Sequence, residues 1–529
     1  VDRKWVTLSN TTIGTFMALL DSSIVLVSLP TIGRELPGAG PGELLWTVLS
    51  YNVVTTTLLL SFGRLSDMFG RVRLYTFGFA FFTIGSAFAG FSGTGSELLA
   101  ARIFQGIGAG FLTSNSAAIL TDAFPRSERG RALGLNQVAA LTGSMMGLVL
   151  GGVLTTSFGW RSIFFVNLPI GAIGTLWAYT SLTETHRETG PLRIDWAGNF
   201  TFAIGLTATL VGITLGALQG WTSQIVLVTL ALGPALLVAF VLIERIVPSP
   251  MFDLALFRIR TFVAGNLSAL IAALARGAFL FVMVFYFQGV LGDSAENAGL
   301  LLLPLPAAFA IAGPISGALS DRTGARYLGT AGLLLSALGF LVLVLSPTYA
   351  SYPVIAASMV LLGVGQGMFA APNRAEVMSS VPPGRRGIAA GTGVTFLNGG
   401  NLGSLALGFT VLAAVLPRAS LGLVFTGANP GAPVDAAAFV RALHLLFALA
   451  LALTLLAAIV NSARGSTAPP RTDGGLSPPT TRPPVLAGSR VPHVVPAMNG
   501  GPASDGGEEA PDPGPPEWTG PTTVLRGPA

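Results

Sequence analysis

Two stretches of this chain, Gly63-Arg64-Leu65-Ser66-Asp67-Met68-Phe69-Gly70 and Gly317-Ala318-Leu319-Ser320-Asp321-Arg322-Thr323-Gly324, lie 254 positions apart (317 − 63), each at the end of a long apolar run. A second pair repeats the message. Gly106-Ile107-Gly108-Ala109-Gly110, with Pro125 and Arg129-Gly130 behind it, returns 257 positions later (363 − 106) as Gly363-Val364-Gly365-Gln366-Gly367 with Pro382 and Arg386-Gly387. The chain is therefore an internal duplication, and two like halves in a strongly apolar chain imply a bundle with a path between them.

Only 10% of the residues are charged, against roughly 25% in soluble domains, and the mean hydropathy is +0.69. Most of the chain must be solvated by lipid. A formal charge of +5 would suit nucleic acid, but the arginines lie in short clusters between apolar runs rather than on one basic face, so no nucleic-acid partner is expected. With no cysteine there is neither a disulfide nor a thiolate metal site. The first apolar run has no small-residue cleavage site and continues into a repeat unit, so it is read as a retained span.

A membrane span needs about 20 mostly apolar residues. Fourteen are predicted, near residues 5–29, 45–64, 74–93, 97–121, 132–157, 161–182, 196–217, 223–243, 261–290, 297–319, 327–346, 352–372, 388–416 and 439–462. Basic residues stay on the cytoplasmic side of a membrane. Arg64, Arg71 and Arg73, then Arg126, Arg129 and Arg131, Arg187 and Arg193, Arg245, Arg258 and Arg260, Arg322 and Arg326, and Arg385 and Arg386 all fall in even-to-odd connections, with Arg34, Arg161 and Arg418 as exceptions. Both termini are expected in the cytoplasm. The repeat offset leaves room for two additional spans between two six-span halves. The expected organisation is an N-terminal bundle over 1–183, a linker with two spans over 184–258, a C-terminal bundle over 259–464 and a disordered cytoplasmic tail over 465–529, rich in Pro, Gly, Ser and Thr.

These residues resemble the major facilitator superfamily, and the span count looks like its drug:proton antiporter branch, over residues 5 to about 462. Gly63 to Arg73 is similar to the signature loop after the second span, with Met68 and Val72 where a basic residue is common. Leu98, Arg102, Gln105, Gly106, Gly108 and Ala109 look like the fourth-span motif, whose arginine is implicated in proton coupling. Asp21 to Pro30 is similar to the first-span motif, with Leu26 in place of asparagine, and Trp160 to Gly171 resembles the branch's sixth-span entrance. The fifth-span antiporter motif keeps Gly143, Gly147, Gly151 and Gly152 but has Leu148 where its proline stands. The resemblance implies an all-α polytopic fold of two six-helix bundles plus two inserted helices, in a cytoplasmic membrane.

Ionisable groups inside a span are costly and are functional candidates. Asp21 is the only acid well inside an apolar run, about 13 Å below the outer end of a helix ending near Pro30; Arg102 is placed about 8 Å below the same surface, and Arg276 about 24 Å across from the inner side. Because 276 − 21 is 255, Arg276 is read as duplicating Asp21. Pairing of Asp21 with Arg276 or with Arg102 in the state closed on the outside, broken by protonation, is the expected coupling device. A static partner locking two helices is the bland alternative. Gly63, Asp67, Gly70, Arg71, Arg73, Asp321 and Arg322 are expected to gate. The resemblance implies a latch from Asp67 to the start of the thirteenth span near Gly387, braced by Arg71 and Arg73; the alternative is a tight turn at Gly63 and Gly70, with arginines that orient topology.

Asn52, Asn115, Asn136, Gln137, Asn167, Asn266, Gln288 and Asn398, with Thr55, Asn373 and Asn401, supply hydrogen-bonding groups near a substrate path otherwise lined by residues such as Phe281, Phe285, Tyr286 and Phe287. Such a cavity suits a lipophilic or mildly polar organic molecule. His186, His444 and His493 are scattered, so no metal or other cofactor is expected. No H-E-x-x-H, nucleophile elbow or Gly-x-x-x-x-Gly-Lys-Ser/Thr loop occurs, which argues against an enzyme and against ATP drive. The expectation is a monomeric, proton-coupled, multidrug-type exporter by alternating access, whose partners are a small organic substrate, the proton and the bilayer. Export of a specific lipid, siderophore or other metabolite, and proton symport, are the alternatives.

Overall fold

In the computed structural model, residues 2–125, 128–184, 195–247, 250, 252–346, 351–382, 385–417, 421 and 436–464 are described, without the side chains at 60, 130, 321, 386 and 387. Arg126, Arg187, Arg193, Arg418, His186, His493, the side chains of Asp321, Arg386 and Gly387, and the tail 465–529 thus lie outside the described residues.

The described residues form helices and no strands. In chain order these are α1 (Arg3–Glu35), α2 (Pro41–Phe69), α3 (Arg71–Phe91), α4 (Gly95–Ala123), α5 (Arg129–Phe158), α6 (Ser162–Phe165), α7 (Asn167–Ser181), α8 (Trp196–Gln219), α9 (Gln224–Glu244), α10 (Arg260–Arg276), α11 (Phe279–Phe285), α12 (Ala295–Leu301), α13 (Pro304–Thr323), α14 (Ala325–Leu345), α15 (Tyr352–Ser379), α16 (Arg386–Val415) and α17 (Ala436–Ser462). A 3-10 turn at Leu254–Arg258 precedes α10, and a π-turn at Tyr286–Val290 follows α11. Thirteen spans, or fourteen with α2 bent by 56° between Leu59 and Ser61, are long and apolar enough to cross a membrane. Backbone amides and carbonyls have no partner in hydrocarbon, so helices are the form such runs must take.

Three predicted spans are interrupted. α6 and α7 share one, α10 and α11 another, and α12 and α13 a third. Pro304 and Pro306 lack the N–H that would continue the helix across Leu302–Leu303. At the α10–α11 break the freed Ala278 N–H donates to Ser404 Oγ at 2.8 Å. The first span also differs from expectation: Pro30 lies inside α1, which continues to Glu35. Asp21 is thus fourteen residues (35 − 21), about 21 Å, from that helix end, two residues past the midpoint of α1.

The duplication is visible in the packing. α2 and α3 pack on α4 as α13 and α14 pack on α15, and α1 packs on α5 as α10 packs on α16. A Cβ on Gly143 would meet Phe16 O at 2.6 Å and one on Gly400 would meet Leu270 O at 2.5 Å; Gly151 abuts Ile24 as Gly408 abuts Ala278. The contacting residues on α1 and on the span that α10 and α11 share differ by 254 (270 − 16; 278 − 24). That register pairs Asp21 with Ala275 and Ser22 with Arg276, so Arg276 is not the duplicate of Asp21. One residue of offset turns a side chain by about 100° on a helix, which is why counting between two loop offsets misplaced it. The α8–α9 hairpin lies outside the duplication, with α8 against both α2 and α16.

One apolar cluster joins both halves at the end where α1 finishes, taking in Leu29, Leu45, Trp160, Phe281, Phe285 and Phe439. At the end where α1 begins, the apolar clusters each belong to one half, as in Tyr75–Phe79–Leu112 and Leu256–Phe262–Val377. The halves are welded at the far end and separately packed at the near end.

Candidate functional site

Asp21 is fully buried, as are Arg102, Gln105 and Asn167 around it. Arg102 Nη1 lies 2.6 Å from Asp21 Oδ2, while Gln105 Nε2 and Asn167 Nδ2 each donate to Oδ1 at 2.8 Å. α1, α4 and α7 meet here. Gln105 stands one turn beyond Arg102 on the same face of α4, and its Oε1 accepts a second bond from Arg102 Nη1 at 2.5 Å. Arg102 Nε reaches the Thr47 carbonyl at 3.2 Å, and the guanidinium lies 4.3 Å from the centre of the Tyr51 ring, a favourable cation–π placement. Asn167 is held in turn by Ser86 Oγ at 3.1 Å. A buried ion pair is tolerable only when its remaining donors and acceptors are also met, and this cluster meets nearly all of them.

Of the two candidate cations, Arg102 makes the pair with Asp21. Arg276 ends α10 in the other half, partly buried, with its Nε shut off from solvent and without a hydrogen-bond partner. No ion pair to it occurs among the described residues.

At the near end, Gly70 adopts φ +104° and Gly324 φ +82°. This is backbone open mainly to glycine, and it turns α2 into α3 and α13 into α14. Gly63 is different: it lies within α2, so the tight turn belongs to Gly70 alone. Asp67 Oδ1 accepts from Arg71 Nε at 2.8 Å, and Arg71 Nη1 reaches Asp122 Oδ2 at 2.7 Å. Asp67 is therefore engaged within its own half. The first N–H groups of α3 are covered by Glu184, whose Oε1 accepts from Arg71 N at 2.9 Å and Oε2 from Val72 N at 3.0 Å. Arg73 and Arg322 are exposed.

The sequence profile described as Major Facilitator Superfamily matches residues 11–405 and 267–486. This chain belongs to that superfamily. It is 32% identical over 388 residues to the riboflavin transporter RibZ of Clostridioides difficile (strain 630), covering 73% of this chain and 83% of that protein. To the multidrug resistance protein Stp of Mycobacterium tuberculosis (strain CDC 1551 / Oshkosh) it is 35% identical over 415 residues, covering 78% and 75%. A bacterial homolog of the human lysosomal transporter Spinster, solved inward-facing and unoccupied, superposes with a TM-score of 0.62 at 18% identity over 88% of this chain and 99% of that one. At such identity the likeness speaks for the fold alone. As a superfamily member with these relatives the chain is a multi-pass membrane transporter, not an enzyme.

Within the superfamily fold, the predicted path residues scatter among several tasks. Asn167 serves Asp21. Gln288, in the π-turn after α11, crosses between halves to donate to the Val27 carbonyl at 2.8 Å. Asn136 joins Thr15 at 3.2 Å and Ser116 at 3.3 Å. Asn52, Asn115 and Asn266 each bond a carbonyl four residues back in their own helix. Gln137 is exposed, and Asn398 partly exposed. Sequence reading missed the tasks of Thr47, Tyr51, Ser86, Asp122 and Glu184, and also Arg464, which pairs with Glu376 at 3.1 Å just past α17. The position of Gln105, one turn from Arg102, was a usable signal. Glu184, more than a hundred residues from the helix it caps, offered none.

Proposed function

We propose that this transporter exports lipophilic or amphipathic small molecules in exchange for protons, by alternating access in a cytoplasmic membrane with both termini inside. The observation that carries the reading is the buried Asp21–Arg102 pair on three helices of one half, below the apolar weld that closes the far end. Protonating Asp21 removes the negative charge from that cluster and leaves the Arg102 cation with less to hold it. α1 and α4 are then freer to shift, and α1 carries the Val27 carbonyl that receives Gln288 from the other half. A proton arriving from the far side and a substrate arriving from the near side thus compete for one arrangement of the bundle. Residues 1–183 and 259–464 are the two rocking bodies, and Asp67 exchanges Arg71 for the start of α16 when the near end closes.

A second reading, transport of one specific metabolite or symport with the proton, is favoured by the relative named as a riboflavin transporter. Leu148 in the glycine-rich stretch of α5, where its carbonyl faces Gly299 of α12, also favours it.

The test is proton flux in proteoliposomes carrying an internal pH dye, challenged with lipophilic cations, lipophilic anions and neutral compounds. Wild type should move protons against the substrate, whereas Asp21→Asn should insert and bind substrate but move none. Undiminished coupling in Asp21→Asn removes the carboxyl from the mechanism, and protons moving with the substrate select symport.

A further inference from the structure

Arg276 is a cation in the membrane interior, and among the described residues of its own half nothing answers its charge. Two other buried charges are answered, Asp21 by Arg102 and Arg464 by Glu376. In the N-terminal half the ion pair needs Asp21 on α1 and Arg102 on α4. The repeat register places Ala275 (21 + 254) and Met359 (102 + 257) at the corresponding sites, so the C-terminal half has lost both members of that pair and gained a lone guanidinium one residue further on. Its Nε is closed to solvent and unpartnered, yet part of the side chain stays accessible. Asn401 on α16 packs against the adjacent Gly277 and likewise has a buried Oδ1 without a partner. Ala275, Ala278 and Phe279 beside it belong to the weld between the halves. Arg276 thus sits at the end of α10, beside the apolar weld that joins the halves.

An unanswered charge in a span is expensive and is kept where something transient answers it. A guanidinium presents a planar fork that fits the two oxygens of a carboxylate or phosphate. The accessible part of Arg276 is where an oxyanion would meet it.

We propose that Arg276 binds the oxyanion of an amphipathic substrate, a carboxylate or phosphate on an apolar body. The inference rests on the reading of the chain as a transporter of amphipathic molecules and narrows it to anions. The apolar body follows from the alanine and phenylalanine neighbours, the charge from the arginine.

The test uses the full chain in phosphatidylcholine nanodiscs with two probes of matched shape, 1-pyrenebutyrate and 1-pyrenebutanol. Binding is read by energy transfer from the protein's tryptophans. Wild type should bind the anion about tenfold more tightly than the alcohol, as a charge-assisted pair allows. Arg276→Gln should bring the two probes to similar affinity while keeping the alcohol's, and Arg276→Lys should retain part of the preference. Adding phosphatidylglycerol separates the carriers. Competition with pyrenebutyrate in wild type supports a lipid headgroup as the source of the oxyanion, and a preference that survives it supports a free carboxylate. Equal binding of both probes by wild type, a comparison that needs no variant to fold, overturns the proposal and leaves the transporter of lipophilic molecules standing. Binding of neither probe overturns both. A preference that persists in Arg276→Gln assigns the anion to another group and also overturns it.

Discussion

At the scale of single residues, the Asp21 cluster shows how a charge survives in hydrocarbon. The cost of removing a carboxylate from water is recovered only when its partner is close and its other lone pairs are used. Here one oxygen meets Arg102 and the other takes two amide donors. Breaking one side should therefore be worse than removing both. Arg102→Ala strands a buried carboxylate and should cost about 3–5 kcal/mol, read as a lowered thermal midpoint in detergent. Adding Asp21→Asn to it, so that no lone charge remains, should restore much of the loss. A double variant no more stable than Arg102→Ala would mean that the stranded charge is not what destabilises.

Helices in this bundle approach through glycine. Three glycines of α5, each four residues apart, lie against the α1 backbone, where side-chain atoms have no room, and such spacing is how spans pack closely without a hydrophobic drive between them. A Cβ on Gly147 would stand 2.6 Å from Leu20 O and 2.8 Å from Ser23 Cβ, whereas one on Gly134 meets nothing within 4 Å. Both positions are helical, so propensity favours alanine by roughly 1 kcal/mol at each, and only packing separates them. Gly134→Ala should hold or raise the thermal midpoint, while Gly147→Ala should lower it, because backbone cannot retreat as a flexible side chain can. Equal shifts would count against close α1–α5 contact. The same scale explains the interrupted spans: Pro304 and Pro306 were visible breakers, but the N–H freed between α10 and α11 is met by Ser404, a hydroxyl on another helix.

For the whole molecule, the distribution of apolar clusters places the chain in one state, closed at the end where α1 finishes. Gln288 to the Val27 carbonyl is a polar tie across that closure. A buried hydrogen bond contributes about 1 kcal/mol net, a shift of roughly fivefold in a two-state population. Gln288→Ala should accordingly raise the far-end-open fraction. Because the chain has no cysteine, spin labels on Ser157→Cys and Ser294→Cys report that end without background, and the variant should add a longer distance to the wild-type distribution. Unchanged distances would show that the apolar weld alone sets the closure. The α8–α9 hairpin belongs to this scale too, since α8 packs on α2 and α16, one from each half, and so has to accommodate any rocking between them.

What the sequence determined by itself is what one-dimensional pattern can carry. Runs too apolar for water must become helices in lipid, and repeated loops must become repeated turns, as Gly70 and Gly324 do. A charge inside an apolar run, as at Asp21 and Arg102, stands out by contrast with its neighbours along the chain. Which partner each charge meets was left to the tertiary structure. Arg102, Gln105 and Asn167 reach Asp21 from helices 81 to 146 positions away, and Arg276 misses the duplicated position by one residue. The rotation of a helix about its axis, which turns a side chain by about 100° per residue, is decided where glycine faces meet, and no local pattern records it.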